Sequence, residues 1–482
     1  MASTTTGALK PPPSHHRLLY LLAAVAQGLG PLLTQPFVQR RLGEDQWGRV
    51  AFSTSLISVG LIVMLVGLPL IITRVHFEPP EGHRKSKSLA AYGIGQSVAL
   101  ALVSALGLAV VMFFMGNLSA NLAFVIALVV VGLHGCTQMC LGVLRAEHRA
   151  VAFVIVTIIA QTVGHIAGLA MIIFVAPTAT VYMLSFAVVA GIATLLSALF
   201  ARPRHPFAFP EIIKTAMRTT LPILPHSVAL ILMLQGESFI ITAFQGPSIY
   251  GFYGAMLPMA LGPLAVIMAL SNVWETTLLA HRGRDPDGQV LKIQREAAVI
   301  AIALVLAGSA AAVFAAHILF KDPSAEQLQL ARVLPLMSAG YVVFLIATTQ
   351  LVAIGRTKLM ASVTPIVAIV YVLLILAPAH EGDLLLVGSI KVALFAVLGL
   401  VHMWVARRYD KALVSARTMI GCLVASSVIT LLVMLLPTDY VTGLITFGAA
   451  GVLLIVGAFL VFLRLRSKSQ KNGESPKVPL PE

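Results

Sequence analysis

Long apolar runs follow one another along the whole chain, each closed by a short polar or charged break. In helical form a run of about 20 residues crosses the ~30 Å hydrocarbon core of a bilayer. Fourteen such runs are read, at roughly 18–38, 48–72, 89–115, 119–144, 151–175, 179–200, 218–244, 250–278, 297–320, 331–354, 360–377, 383–405, 413–436 and 440–463. The pattern predicts an all-α polytopic membrane protein. One long break, 201–217, contains Pro203, Pro206 and Pro210 and separates two groups of six spans. The expected organisation is a tail (1–17), an N-terminal lobe of spans 1–6 (18–200), a linker (201–217), a C-terminal lobe of spans 7–12 (218–405), two extra spans (413–463) and a basic tail (464–482). The Thr run and Pro11-Pro12-Pro13 at one end, and the polar stretch at the other, predict disordered tails.

One short pattern occurs twice, each time between two long apolar runs. Gly43-Glu44-Asp45-Gln46-Trp47-Gly48 and Gly246-Pro247-Ser248-Ile249-Tyr250-Gly251 both read Gly-x-x-x-aromatic-Gly, displaced by 246 − 43 = 203 residues. A second echo agrees: 144–149, ending in Arg149, returns as 351–356, ending in Arg356, displaced by 207. Two matches at nearly one displacement predict a duplicated unit. Since both six-span halves begin on the same side, the repeat is parallel, with a pseudo-twofold axis along the membrane normal. Duplicated membrane units of this kind build transporters.

Charge then orients the spans. Of the 33 Lys and Arg residues, 27 fall on the side of the two tails, counting the tails themselves, and the net charge is +14. Arg40, Arg41, Arg49, Lys321 and Arg332 fall in breaks on the other side, and Lys391 lies inside a span. The bias is the positive-inside rule. It places both termini in the cytoplasm, so the basic composition reports topology and implies no nucleic-acid partner. A mean hydropathy of +0.94 excludes a soluble globular chain. The first run is long enough to span, and Gln27, Pro31 and Pro36 stand where a small-residue cleavage site would be, so it is read as a span and not a cleaved signal. Cys136, Cys140 and Cys422 all fall in spans and predict no disulfide framework. Without nearby His or carboxylate they are read as packing residues, with no metal site.

The outer breaks, such as 39–47 and 245–249, are short. A membrane glycosyltransferase, polymerase or ligase needs extramembrane surface for its catalytic groups, and none is available. No Gly-x-x-x-x-Gly-Lys-Ser/Thr loop exists to drive the chain with ATP. The expected role is binding and conformational change, not catalysis.

These residues resemble the oligosaccharide flippase (polysaccharide transporter) family, which belongs with MATE multidrug exporters and lipid II flippases in one superfamily. The resemblance covers both six-span halves, and its clearest matches are 38–57, 67–74, 144–150, 235–260 and 351–358. Glu237 stands nine positions before Gly246, as an acidic residue often does in that family. Gly67-Leu68 followed by Arg74 resembles the family's ending of span 2, and Trp274 fits near the end of span 8. Ser238 stands where a basic residue is usual, and no proline follows Trp274-Glu275. The resemblance implies a MATE-like fold in a bacterial plasma membrane. It implies a polyprenyl-pyrophosphate-linked oligosaccharide as cargo, moved from inner to outer leaflet by alternating access. Membrane lipids, a polysaccharide polymerase and glycosyltransferases are the expected neighbours. No cofactor is expected, and H+ or Na+ are the candidate coupling ions.

Such a cargo needs polar groups for the sugar, cations for the pyrophosphate and a lipid-facing opening for the tail. Glu237 is the sharpest candidate, because a carboxylate inside a span faces a cavity or a partner. His226 shares its helix face at i−11, and Lys391 lies at the same depth, ~12 Å from the outer surface. Glu237 and Lys391 are expected to face each other as an ion pair or ion-linked switch, with a purely structural pair as the alternative. His134, Gln138, Gln161 and His165 are candidates for a sugar path in the N-terminal lobe, or for interhelical hydrogen bonds. Gly164 and Gly168, beside them, predict close helix contact. Arg74, Arg145, Arg218 and Arg356 end spans on the cytoplasmic side, where guanidinium groups suit pyrophosphate. The alternative is ordinary positive-inside anchoring. Arg49, with Arg40 and Arg41, lies on the outer side and is a candidate gate or phosphate contact. Prolines such as Pro31, Pro36, Pro258 and Pro263 are candidate bends. The alternatives to an oligosaccharide flippase are a MATE-type cation-coupled drug exporter, a lipid II flippase and a non-transporting scaffold.

Overall fold

Helix length sets the architecture. In the computed structural model, which describes residues 14–281, 288–320 and 322–471, the first helix α1 (Ser14–Leu65) holds 52 residues. Straight, it would reach about 78 Å, more than twice the hydrocarbon core. It breaks at Gly43, where φ is 73° and ψ is 176°, a conformation open only to glycine. The helices that follow are α2 (Leu68–His76), α3 (Gly82–Phe114), α4 (Leu122–Ala146), α5 (Ala150–Ile158), α6 (Gly164–Phe174), α7 (Ala179–Ala201) and α8 (Pro210–Thr220). The second half opens with α9 (Leu224–His281), 58 residues broken at Gly246 with φ 82° and ψ 172°. Then come α10 (Gln289–Leu319), α11 (Ala325–Val333), α12 (Met337–Ala353), α13 (Thr357–Glu381), α14 (Leu384–Tyr409), α15 (Ala416–Met434) and α16 (Tyr440–Lys471). Among the described residues there is no strand.

Twelve of these elements are long and apolar enough to cross a membrane, α11 and α12 counting as one and α5 and α6 as another. Counting the two arms of α1 and of α9 separately gives fourteen spans. The sequence pattern places loops at 39–47 and 245–249. Instead the helix resumes after a single glycine, because the φ/ψ of Gly43 and Gly246 reverses the chain without unpaired turns. Nor does span 2 continue to 72. Val66 and Gly67 are both left-handed, at φ 46° and 72°, and end the helix before α2 restarts with Pro69 in its first turn. Of the candidate proline bends, Pro31, Pro36, Pro258 and Pro263 lie within helix, whereas Pro222 and Pro335 stand in the 3-10 turns Leu221–Ile223 and Leu334–Leu336 at helix junctions.

The second echo is also one structure used twice. His148 (φ 55°) and Gly355 (φ 73°), 207 residues apart, each end a helix in the left-handed region. Arg149 N donates to the Leu144 carbonyl at 3.0 Å and Arg356 N to that of Leu351 at 2.8 Å. Both are six-to-one closures of a helix C-terminus.

Lipid removes the hydrophobic drive between helices, so close backbone approach holds them together. Around α4 pack α1, α2, α3 and α7; around α12 pack α14 and α9. A Cβ on Gly132 would meet that of Ala101 at 2.4 Å, and one on Gly399 would meet the Gly340 carbonyl at 2.7 Å. No side chain larger than hydrogen fits either crossing.

The pair α15–α16 lies outside these groups, against α10, and buried polar residues tie down both of its ends. At one end Gln294 donates to the Leu413 carbonyl and accepts from Ser415 N, both at 2.8 Å. At the other, Arg332 donates to the carbonyls of Leu436 at 2.8 Å and Pro437 at 2.7 Å. Arg332, expected in an outer loop, is thus a helical residue with only 1% of its surface exposed, because its guanidinium caps the end of α15. Lys321 lies outside the described residues. Arg332→Ala removes the guanidinium that bonds the Leu436 and Pro437 carbonyls and is expected to cost about 1.5–3 kcal/mol, the contribution of hydrogen bonds to a charged group. Thermal unfolding of the purified protein in detergent reads this directly. An unchanged melting temperature would mean that the hairpin docks without the arginine.

Candidate functional site

The two copies of Gly-x-x-x-aromatic-Gly meet. Gly48 packs so tightly on α9 that a Cβ there would stand 1.7 Å from the Pro247 carbonyl oxygen, and one on Gly251 would stand 2.9 Å from the Gly48 Cα. Gly48 and Gly251 are equivalent residues of the repeat, so the pseudo-twofold axis passes between them. Within each motif the first glycine reverses the chain and the second lets the two second arms cross in backbone contact. The aromatic residues seal the crossing. Trp47 Nε1 donates to the Gly251 carbonyl at 3.0 Å, and the Tyr250 hydroxyl lies 2.6 Å from Ser55 Oγ. Gln35 Nε2 donates to the Ala255 carbonyl at 3.1 Å, and Arg40 adds a bond to the Ile318 carbonyl at 2.5 Å. The halves are thus closed at the end of the bundle that carries the kinks.

From that seam a cavity of about 820 Å³ extends between the arms of α1 and α9. Its walls differ. One, from the first half, mixes polar groups (Gln35, Thr54 and Ser58 of α1, His134 of α4, Gln161 and His165 of the α5–α6 segment, Tyr182 of α7) with apolar ones such as Val38, Val50, Ile57, Leu61 and Phe186. The other is the second arm of α9, with Leu257, Pro258, Leu261, Ala265, Val266 and Leu270. Tyr250 is its polar exception, and Gln235 of the first arm of α9 adds a second polar group on that side. Among the described residues no Asp, Glu, Lys or Arg lines the cavity.

Of the sequence candidates, His134, Gln161 and His165 are brought together here. His165 Nδ1 lies 2.7 Å from the Tyr182 hydroxyl, and its ring packs on Phe186 at 4.9 Å. The adjacent glycines receive the same two rings: a Cβ on Gly164 would meet Phe186 at 2.7 Å and one on Gly168 would meet Tyr182 at 2.5 Å. Gln138 does not reach the main cavity. It lines a small neighbouring cavity of about 10 Å³, shared with His134, Thr157 and Gln161, beside a π turn at Ile159–Val163.

Glu237 and Lys391 do face each other, both with no exposed surface. Lys391 Nζ bonds Glu237 Oε1 and the Leu234 carbonyl, the latter at 2.7 Å. The Tyr371 hydroxyl donates to Glu237 Oε2 at 2.9 Å. Each charge therefore has a partner and a neutral hydrogen bond, the condition under which a buried pair survives. The pair lies behind the cavity wall, joining α9, α13 and α14. Gln235, two residues before the carboxylate, carries the contact forward: its Oε1 accepts from Ser55 Oγ at 3.0 Å. His226 joins neither the cavity lining nor the pair. Eleven residues from Glu237, or ~16 Å along the helix, it stacks on Phe344 at 6.3 Å. His402 meets the same ring edge-on at 5.1 Å, fully buried and donating to the Leu398 carbonyl at 2.8 Å. Tyr371, Tyr250, Trp47, Gln35 and His402 were not among the sequence candidates. For Tyr371, Gln35 and His402 the signal was a lone polar atom in an apolar span, as at Gln161, and for Trp47 and Tyr250 it was the repeated motif that contains them.

The arginines stay at the ends. Arg49 is committed to Asp45 at 3.0 Å and to Asn121 Oδ1 at 2.7 Å. At the opposite end, which carries the 201–217 linker, Arg74 pairs with Glu78 at 3.1 Å, Arg145 lies over Phe153 and Arg356 over Tyr409. Arg218 ends α8 exposed. Among the described residues no three His, Cys, Asp or Glu side chains converge as a metal site.

The family model described as Polysaccharide biosynthesis protein matches residues 17–274. Solved structures share the fold at low identity. An inward-facing multidrug resistance MATE family transporter of the MOP superfamily aligns at TM-score 0.63 and 14% identity, covering 82% of this chain and 95% of that one. An outward-facing one aligns at 0.56 and 14%, covering 84% and 97%. A MOP superfamily transporter from Pyrococcus furiosus, noted for a binding pocket of reverse polarity, aligns at 0.53 and 15%, covering 83% and 93%. No protein of curated function matches.

Removing one member of the buried pair strands the other. Glu237→Gln or Lys391→Met alone is expected to lose about 3–5 kcal/mol, and the double variant to regain more than half of it. The comparison is of melting temperatures in detergent. Additive losses in the double variant would show that the two charges act independently.

Proposed function

The chain belongs to the polysaccharide biosynthesis protein family with a MATE-like fold, and we propose that it carries a polyprenyl-pyrophosphate-linked oligosaccharide from the inner to the outer leaflet of a bacterial plasma membrane. The protein is a multi-pass membrane exporter and not an enzyme. What supports this cargo is the two-faced cavity. Amide, hydroxyl and imidazole groups on one wall match a glycan, while the apolar second arm of α9 suits a prenyl chain entering from lipid. Its size is that of a small-molecule site, room for a repeat unit and not for a polymer.

The charge bias puts the linker end and both termini in the cytoplasm. The sealed kink end then faces outward, and the cavity faces inward, ready to load. The N-terminal lobe (18–200) and C-terminal lobe (218–405) are the rocking bodies, and Arg74, Arg145, Arg218 and Arg356 sit where an incoming pyrophosphate needs cations. Glu237 is balanced by Lys391, so a sodium ion would have to displace an ammonium. A proton needs only the pair itself, which makes H+ the better fit of the two coupling ions. The drug-exporter reading is disfavoured by the lining, because a cationic drug needs a carboxylate.

The test is leaflet exposure in liposomes carrying a fluorescent polyprenyl-pyrophosphate oligosaccharide. Wild type is expected to expose the label. In Gly48→Ala a Cβ collides with the Pro247 carbonyl, so the outer end cannot close and exposure falls at least about tenfold, the effect of ~1.4 kcal/mol. No exposure with any glycan, together with efflux of a cationic dye, would move the assignment to the drug exporter.

A further inference from the structure

The cavity has a property that the cargo class alone does not require: polar as one wall is, it carries no formal charge among the described residues. Its hydrogen-bonding groups are the amides Gln35, Gln161 and Gln235, the hydroxyls of α1, and two imidazoles. Glu237, Lys391 and Arg49, close in sequence or contact to lining residues, are committed to partners of their own. Glu237 and Lys391 satisfy each other behind the wall with no exposed surface, and Arg49 is held by Asp45 and Asn121.

We propose that the glycan admitted to this cavity is uncharged, built of hexoses, deoxyhexoses or N-acetylated sugars, and that uronate-bearing, phosphorylated or free-amino glycans are discriminated against. This rests on the flippase reading above and refines its substrate. A carboxylate entering the cavity exchanges part of its water for neutral donors, and no cation is present to offset that loss. Sugar hydroxyls and acetamides meet no such penalty. Primary amides and hydroxyls both donate and accept, so either orientation of a sugar hydroxyl finds a partner. Trp47 and Tyr182 add aromatic surface for the apolar face of a sugar ring. His134 and His165 are the basic side chains of the lining among the described residues, and one nitrogen of His165 is already engaged by Tyr182. The pyrophosphate belongs to the lipid end of the cargo and meets the exposed arginines of the linker end, not the glycan chamber.

The experiment uses the full chain in liposomes at about pH 8, where free imidazoles are neutral. It compares two polyprenyl-pyrophosphate trisaccharides that differ at one sugar, glucose in one and glucuronate in the other. The neutral cargo is expected to be exposed at least about tenfold faster, equivalent to ~1.4 kcal/mol. Gln161→Lys and Gln235→Lys place a cation on opposite walls, and each is expected to raise the rate of the acidic cargo relative to the neutral one. Equal wild-type rates would overturn the inference and leave the flippase reading intact. Discrimination that neither lysine variant alters would also overturn it, since absent charge would not be the cause. Exposure of neither cargo would overturn the flippase reading itself, and this refinement with it.

Discussion

The structure depends on one contact in which no side chain takes part, the crossing of the Gly48 backbone over Pro247 and Gly251. Nearly every cross-half feature follows from it. Trp47 reaches the Gly251 carbonyl and Gln35 the Ala255 carbonyl only because the two arms touch at this depth. The cavity exists because arms in contact at one end diverge toward the other. In lipid, where apolar side chains gain little by leaving one hydrocarbon for another, such backbone proximity is the main source of helix adhesion. A glycine on the symmetry axis is the smallest device that provides it, and the duplication supplied one from each half.

Behind the cavity wall a different constraint operates. Glu237, Lys391 and Tyr371 bind three helices of the second half in a fully buried network. A buried pair of this sort gains little net stability over an apolar substitute, yet breaking it is costly. Its effect is to hold α9, α13 and α14 in one register. Gln235 connects this rigid core to the seam through Ser55, whose hydroxyl also meets Tyr250. The chain thus places its strongest polar interactions inside one half and its weakest across the interface.

Much of this was legible in the residues, for identifiable reasons. Apolar run length gave the spans, because a helix is the structure that satisfies its backbone groups within one apolar run in hydrocarbon. The repeat was visible because glycine and an aromatic residue are both required where the halves cross. Glu237 and Lys391 were visible because charge in a span demands a partner. What could not be read was helix azimuth. A soluble helix reveals its buried face by contrast with its polar face, but here lipid and core select the same residues. Shared spacing on α9 therefore suggested that His226 and Glu237 act together, whereas one stacks on Phe344 and the other is locked behind the wall. The same ambiguity hid Tyr371 and misplaced Gln138. Arg332 was misread for a related reason: a guanidinium near a span end looks like a loop anchor until its partners, 104 and 105 residues away, are known.

The alternating access proposed for this chain requires an interface that opens and bodies that do not deform. Across the seam lie van der Waals contact and a few hydrogen bonds from neutral donors, with Arg40 adding an exposed one. Net, each such bond contributes about 1 kcal/mol, so a modest difference in cargo affinity between states suffices to separate the halves. Inside each half the crossings at Gly132 and Gly340 leave no room to slide, and the buried pair adds directional bonds. Motion is left to the connections. Gly43 and Gly246 join the arms by one residue apiece, so a small change in its φ and ψ swings a whole arm. That the duplicated motif contains both the proposed hinge and the contact it would open accounts for these six residues standing out twice in an otherwise apolar chain.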